Sequence, residues 1–191
     1  MNNILLKMVF KVDKRTVERV VSYLCGEDTL PIVEYLKGKE NISEFKIAED
    51  LKIDMNLLRN QLYRLQKQNL LYFRRKKDKK KGWYIYYWTL NLSEIPFLLK
   101  KIKEDELRRL KSRLERERSN RFYVCKNRCM RLSFEQAMDF NFICPECGSI
   151  MNEEDNSKII EELEMKIKKL EEEIKKIDEK YFLNKKIKNK K

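Results

Sequence analysis

The sequence contains no histidine, only four glycines and three prolines, and no apolar run of the roughly 18 residues that a membrane span needs. Without an imidazole, the chain lacks the usual general base near neutral pH and every zinc site that requires a histidine ligand. Glycine-rich phosphate loops, G-x-S-x-G and H-E-x-x-H are absent too. Residues 1–10 are too short and too interrupted for a cleaved signal sequence. We therefore expect a cytoplasmic protein that does not contact membranes and is not an enzyme.

What is abundant is positive charge. Lysine and arginine number 44 against 31 aspartates and glutamates, a net charge of +13 that favours an anionic partner such as nucleic acid or a phosphate-rich surface. A length of 191 residues favours small modules joined by helices over one large core. We predict a mainly α fold with small β elements.

The N-terminal part, residues 1–92, has the element order of a winged helix. Apolar residues at helical spacing predict an opening helix over residues 14–25, and a second helix that Gly38 ends. Ser43 and Asp54 are suited to cap two further short helices, which together make a helix-turn-helix. Two aromatic-rich, β-prone runs follow and predict a hairpin, the wing.

The hairpin brackets the segment 74–81, which holds seven basic residues and one aspartate. Such a density of charge at a hairpin tip is typical of phosphate contact, although a solvated loop that protects a sheet edge explains it as well. Aromatic residues on the following strand could stack on unpaired bases, or could simply pack. In the second helix of the helix-turn-helix, polar residues that avoid the apolar face could read a major groove or be ordinary surface residues. The candidate nucleic-acid or polymerase contacts are Arg74, Arg75, Lys76, Lys77, Lys79, Lys80, Lys81, Trp83, Arg59 and Arg64.

Two long helices are expected in the remainder of the chain. Residues 93–121 predict a connecting helix, either solvated or packed along one leucine-rich stripe. Residues 152–191 predict a coiled-coil helix and a basic tail, because apolar residues from Ile160 to Tyr181 alternate at spacings of three and four. Isoleucine and leucine at these positions suit a two-stranded parallel coil. Its second strand could come from self-association over residues 157–181 or from a β-type subunit. A third possibility is that no stable coil forms.

Between these helices, residues 122–151 contain two cysteine pairs, Cys125 with Cys129 and Cys144 with Cys147. Fourteen residues separate the inner cysteines, a pattern that predicts one tetrahedral structural zinc ion in a zinc ribbon. Four buried or reactive thiols are the alternative. Gly148 is expected to adopt a positive φ so that backbone N–H groups turn toward the sulfurs. Cys25 lies far away in sequence and is predicted to be a core residue.

A winged helix, a long helix and a tetracysteine ribbon that begins FYVC, continues SFEQAMDFNF and ends CPECGSIM together resemble archaeal transcription factor E, the counterpart of the TFIIE α subunit. The resemblance implies an initiation factor that binds RNA polymerase at its clamp and stalk. It also implies assistance to TATA-binding protein and transcription factor B, and contact with the non-template strand of promoter DNA in the open complex. Through polymerase the protein would be associated with the nucleoid.

The sequence departs from that family in two places. Three residues separate the first cysteine pair where the family usually has two, and the acidic tail of the eukaryotic relative is missing. Two other readings stay open. One is a gene-specific winged-helix repressor that dimerises through the heptads and reads a palindrome. The other is a structural adaptor whose charge serves RNA or ribosome association.

Overall fold

The computed structural model describes residues 12–77 and 82–183. The chain divides into two compact units, Met1–Lys101 and Ile102–Lys191. The predicted contacts Lys79, Lys80 and Lys81, and the predicted basic tail beyond residue 183, lie outside the described residues. The fold is mainly helical with two small antiparallel sheets, as predicted. No helix in the part described is both long and apolar enough to cross a bilayer.

The first unit has the predicted order of helices followed by a hairpin. Its helices are α1 (Lys14–Cys25), α2 (Leu30–Leu36), α3 (Glu44–Leu51) and α4 (Met55–Lys67). Its strands are β1 (Ile42–Ser43), β2 (Leu71–Lys77) and β3 (Tyr84–Leu90). The strand order β1-β3-β2 places the second hairpin strand in the centre of an antiparallel sheet. This order of elements is that of a winged helix.

Local sequence sets the ends of the two helices in the helix-turn-helix. The Ser43 hydroxyl accepts a hydrogen bond from the backbone N–H of Lys46 at the start of α3. The Asp54 carboxylate accepts from two backbone N–H groups in the first turn of α4. Both caps are as predicted, and they satisfy N–H groups that the helix itself leaves unpaired.

The core of the first unit is formed by the apolar stripes of these helices and by one face of the sheet. The largest apolar side chains that are at most 1% exposed are Val20, Val21, Ile32, Leu36, Ile47, Leu58, Leu62, Leu65, Leu70, Trp88 and Ile95. Cys25 is 2% exposed, donates to the backbone carbonyl of Arg64, and has its pKa raised to about 11 by burial. Cys25 is therefore a core residue, as predicted.

In the second unit, a small sheet follows one long helix along the chain and precedes another. Helix α5 (Ile95–Ser119) begins in the first unit and continues into the second, and α7 (Ser157–Asp178) follows the sheet. Between them lie β4 (Phe122–Cys125), β5 (Arg131–Ser133), α6 (Phe134–Asp139) and β6 (Met151–Glu153). The sheet order is β5-β4-β6, with both neighbours antiparallel to β4.

Within this unit α7 runs antiparallel to α5. The ion pairs Lys103 to Glu173, Lys111 to Glu171 and Arg118 to Glu164 have N–O distances of 2.5, 2.6 and 2.5 Å, and the partner's number falls as the number on α5 rises. The seam spacing did not predict this partner within the chain, and a parallel coil with a second copy or a β-type subunit remains a prediction. The predicted seam positions that are buried are Leu163, Ile167, Leu170, Ile177 and Tyr181.

A buried carboxylate joins the end of α5 to the sheet. The Glu117 side chain is only 5% exposed and accepts two hydrogen bonds from the Arg131 guanidinium, at 3.0 and 2.7 Å. The Asn156 amide donates to the same carboxylate and to the backbone carbonyl of Glu117. Arg131 also pairs with Glu154 at 2.5 Å. Paired and hydrogen-bonded in this way, the buried charge holds α5, β5 and the start of α7 together.

This network predicts a pH dependence of stability. The Arg131 hydrogen bonds lower the pKa of Glu117 below its ordinary value of 4.5. A carboxyl whose pKa is lower in the folded state stabilises the protein above that ordinary value, and this contribution disappears as the pH falls below it. We expect Glu117→Gln to flatten the decline of the melting temperature between about pH 5 and pH 3.

The control for this measurement is Glu115→Gln, an exposed carboxylate two residues away on the same helix. Protonation of the cysteines also contributes to acid unfolding, so only the difference between the variants and the parent chain is informative. Identical slopes for Glu117→Gln and Glu115→Gln would contradict the assigned role of Glu117.

Candidate metal centre and nucleic-acid surfaces

The first cysteine pair lies at the end of β4 and in the turn that follows. The backbone N–H of Arg128 donates to the carbonyl of Cys125 at 2.9 Å, and the N–H of Cys129 lies 3.2 Å from the Cys125 sulfur. Arg128 has φ +53°, in the left-handed region that non-glycine residues rarely adopt. This one left-handed residue lets a knuckle with three intervening residues turn its N–H groups toward the sulfur.

The second pair forms the tighter knuckle. The N–H of Gly148 donates to the carbonyl of Cys144, and the N–H of Cys144 donates to the carbonyl of Ser149, both at 2.8 Å. Gly148 has φ +68°, which confirms the predicted positive φ. A Cβ at Gly148 would meet no atom within 4 Å, so glycine is favoured there by its backbone conformation and not by lack of space.

The fold brings the four cysteine sulfurs together. The Sγ atoms of Cys125, Cys129, Cys144 and Cys147 all lie within 4.8 Å of one another. In a tetrahedral site with zinc–sulfur bonds of about 2.3 Å, sulfurs lie about 3.8 Å apart, so the cluster fits such an ion after small adjustments. Four cysteines this close could bind a metal ion, and four thiolates would leave no coordination position for water.

The electrostatics of the cluster favour thiolate at two of its positions. Hydrogen bonds from backbone N–H groups, first that of Met130, lower the pKa of Cys125. The Ser149 side chain and backbone lower the pKa of Cys147 to about 6. Burial raises the pKa of Cys144, and hydrogen bonding to Cys147 raises that of Cys129 to about 12. The backbone thus stabilises one anionic sulfur in each knuckle, and thiolate is the form that binds metal.

The core around these cysteines is small. Its buried members are Cys125, Leu132, Ala137, Cys144 and Met151. Tyr123 and Phe142 pack against it, with their ring centroids 4.9 Å apart in an edge-to-face arrangement. A cluster of this size buries too little apolar surface to hold a ribbon of about 30 residues by itself, so a bound metal would supply much of its stability.

The wing presents its basic residues to solvent. Arg74, Arg75, Lys76 and Lys77 are all exposed at the described end of β2. The guanidinium carbon of Arg75 lies 4.9 Å from the centroid of the Tyr84 ring, and the Lys76 ammonium lies 5.4 Å from that of Tyr87. Because adjacent strand residues point to opposite faces, each face of the wing carries one cation–aromatic pair.

The aromatic residues of β3 and its approach are packed at one end of the strand and exposed at the other, and do not divide between its two faces. Trp88 is completely buried, and its ring lies 5.2 Å from that of Phe73 and 6.2 Å from that of Tyr63 on α4. Trp83 and Tyr84, nearer the tip, are 51% and 49% exposed. The buried end anchors the wing on α4, and the exposed end leaves ring surface accessible beside the basic residues.

The two arginines predicted to contact nucleic acid from α4 are engaged within the first unit. Arg59 donates to Glu44 through Nε at 3.2 Å and Nη2 at 2.9 Å, and the Glu44 side chain is only 2% exposed. Arg64 is paired with Asp28, whose carboxylate is about half exposed. Both arginines thus have structural partners that the sequence did not reveal, and nucleic-acid contact by either remains a prediction.

Helix α5 carries a set of arginines that the sequence pattern did not single out as candidate contacts. Arg109, Arg113 and Arg116 are exposed and follow one another at spacings of four and three, so they share a helix face. The spacing of these arginines is visible in the sequence. However, residues 93–121 are charged throughout, so the sequence does not show which of the charges have an ion-pair partner. Only the ion pairs between α5 and α7 make that distinction.

Comparison with known proteins adds the following. The sequence profile of the TFIIE alpha subunit matches residues 15–119. A transcription factor E of Metallosphaera sedula is 39% identical over 146 residues, which cover 76% of this chain and 83% of that protein. A transcription factor E of Methanocaldococcus jannaschii is 38% identical over 142 residues, 74% of this chain and 82% of that protein. Among solved structures, one described as a "possible transcriptional regulator" of Methanosarcina mazei aligns with a TM-score of 0.46 at 18% identity, covering 52% of this chain and 86% of that one.

Proposed function

This chain belongs to the TFIIE alpha subunit family and is a transcription initiation factor, and from that premise we propose that it binds RNA polymerase and stabilises the open promoter complex. The family is one of transcription factors, which is not a class of enzymes. The profile match covers the winged helix and α5, and the similar transcription factor E proteins match about three quarters of the chain.

In this proposal one zinc ion is held by Cys125, Cys129, Cys144 and Cys147 and has a structural role. Support comes from the donor set, which is entirely sulfur, and from the backbone N–H groups directed at Cys125 and Cys147. The ion would fix the two knuckles together, and the Glu117 network would then hold the ribbon on the end of α5.

The winged helix would dock on the polymerase clamp and stalk, beside TATA-binding protein and transcription factor B, and its wing would hold the non-template strand. The observation that carries this step is the pairing of Arg75 with Tyr84 and of Lys76 with Tyr87 on opposite faces of the exposed hairpin. Cations of this kind contact phosphates, while the neighbouring rings offer stacking surfaces for unpaired bases. A surface with both features binds a single strand more readily than a duplex, whose bases are already stacked.

The test is permanganate reactivity of promoter thymines in complexes assembled with polymerase, TATA-binding protein and transcription factor B. Replacement of Arg74, Arg75, Lys76 and Lys77 by alanine should reduce the stimulation of strand opening by about tenfold and weaken its dependence on salt. The matched control replaces Arg15, Arg19, Lys37 and Lys46, two exposed arginines and two exposed lysines elsewhere in the first unit. Equal reactivity with the two variants would count against the wing as the strand-binding element.

The repressor alternative requires a seam on α7 that is available for dimerisation. In this chain four seam side chains of α7 are buried, and two of its exposed carboxylates, Glu164 and Glu171, pair with α5. This burial removes the main reason for expecting a dimer, and the proposal for an initiation factor does not need one.

A further inference from the structure

The basic residues of α5 are divided between two faces of the helix. Lys103, Lys111 and Arg118 lie on the face that pairs with α7. At 100° per residue, Arg109, Arg113 and Arg116 lie on a different face, more than 100° away from the centre of the first. We call these three residues the arginine stripe.

The arginine stripe carries charge that the chain itself does not neutralise. Residues 108–121 hold seven basic residues and two glutamates, a net charge of +5. The Glu164 and Glu171 carboxylates of α7 are taken by the other face of α5, and Glu117 is taken by Arg131. Within the residues that the structure describes, no ion pair involves Arg109, Arg113 or Arg116. Acids do lie at helical spacing, Glu106 three residues before Arg109 and Glu117 four after Arg113, but in the described residues neither forms an ion pair with the stripe.

At its C-terminal end the stripe opens into a concavity lined by further hydrogen-bond donors. Arg113 and Arg116 line it together with Asn120, Ser133 and Gln136. The Gln136 side-chain carbonyl already accepts from the backbone N–H of Ser133, which leaves its NH₂ group to donate outward. Glu135 is the one lining carboxylate whose charge no described partner neutralises. The donors outnumber it, so the concavity favours an anion.

We infer that the arginine stripe and this concavity bind the phosphodiester backbone of duplex DNA. Arginine binds phosphate through two parallel hydrogen bonds, and the three guanidinium groups recur along the helix at intervals of about 6 and 4.5 Å. No aromatic residue lies on the stripe itself, and the ring of Phe122, which lines the concavity, is covered by the Arg131 guanidinium at 3.8 Å from its centroid. Exposed rings, in contrast, accompany the basic residues of the wing. A surface that offers guanidinium groups without stacking platforms suits a backbone whose bases are already paired.

The experiment measures binding of the full chain, loaded with zinc, to a labelled 30-base-pair duplex of random sequence by fluorescence anisotropy. The variant replaces Arg109, Arg113 and Arg116 by alanine. The matched control replaces Lys168, Lys169 and Lys175, three exposed lysines of α7 outside its seam, and so removes the same charge. Each protein is titrated at several salt concentrations from 50 mM upward, with a single-stranded oligonucleotide of the same sequence and an RNA duplex as further probes.

The stripe variant should bind the DNA duplex about tenfold more weakly at the lowest salt. Its plot of log affinity against log salt should lose about two to three units of slope, since each phosphate contact contributes about 0.9. The lysine control should keep most of the affinity and slope of the parent chain. Unaltered melting temperature and zinc content would show that the stripe variant remains folded, and an Arg→Gln version of the same variant provides a second measurement.

Three outcomes would overturn the inference. The first is a stripe variant that binds the duplex no more weakly than the lysine control. The second is a loss confined to the single strand, and the third is a loss confined to RNA. Because duplex binding is measured without polymerase and with the wing intact, failure here would leave the proposed action of the wing untouched.

Discussion

Replacement of Cys144 by serine is expected to unfold the ribbon and to abolish stoichiometric zinc binding. Cys144 is 1% exposed, belongs to the small core of the ribbon, and supplies one of the four sulfurs. Structural zinc contributes an apparent binding free energy of about 10 to 16 kcal/mol in small domains, far more than a core of five residues can replace. Zinc content by elemental analysis, and protection of residues 122–153 from limited proteolysis, would both be lost.

Cys25→Ser is the matched control for this substitution. It removes a thiol that is equally buried but lies in the core of the first unit, so the chain should lose stability there and still bind one zinc ion. A Cys144→Ser variant that retained a full equivalent of zinc would refute the assignment of the site. A parent chain with less than half an equivalent, indifferent to chelators, would refute the zinc ribbon itself.

Arg59→Ala is expected to cost the first unit about 1 to 3 kcal/mol of its free energy of unfolding. The substitution removes both hydrogen bonds from the Glu44 carboxylate, whose side chain is 2% exposed, and leaves a buried charge without its partner. Both tryptophans of the chain, Trp83 and Trp88, are in this unit, so urea titration followed by their fluorescence reports its unfolding selectively.

Arg64→Ala provides the comparison for Arg59. Its partner Asp28 is about half exposed, so solvent can replace the lost ion pair, and we expect a cost of at most about 1 kcal/mol. A second variant, Glu44→Gln with Arg59→Ala, should recover part of the loss because it removes the buried charge. If the urea midpoint of Arg59→Ala equalled that of the parent chain, the pair of Arg59 with Glu44 would not stabilise the first unit.

Much of the architecture was readable from short stretches of sequence, because the signals are local. Ser43 and Asp54 cap their helices with neighbouring N–H groups, and a left-handed glycine in CPECG is required by the turn itself. The cysteine spacing predicted the four sulfurs that the fold brings together. The alternation along β3 was no such guide, because Tyr84 and Trp88 lie on the same face of the strand and differ in burial only by their distance from the hairpin tip.

The sequence could not predict features that depend on pairing across long separations. A seam at spacings of three and four shows that α7 packs on another helix, but apolar burial has no direction, so parallel and antiparallel partners satisfy it equally. The choice is visible in ion pairs such as Lys111 with Glu171, whose members are 60 residues apart. The same separation hid the partners of Arg59 and Glu117.

By itself, then, the sequence determined the elements, their caps, the metal-binding pattern and the excess of positive charge, since each follows from a residue and its near neighbours. Only the tertiary structure decided which charges remain available to a partner. An arginine on a helix looks the same in sequence whether or not a carboxylate meets it. Folding neutralises Arg59 and Arg118 and leaves Arg109, Arg113 and Arg116 exposed to solvent, because ion pairing depends on distances that the complete fold alone sets.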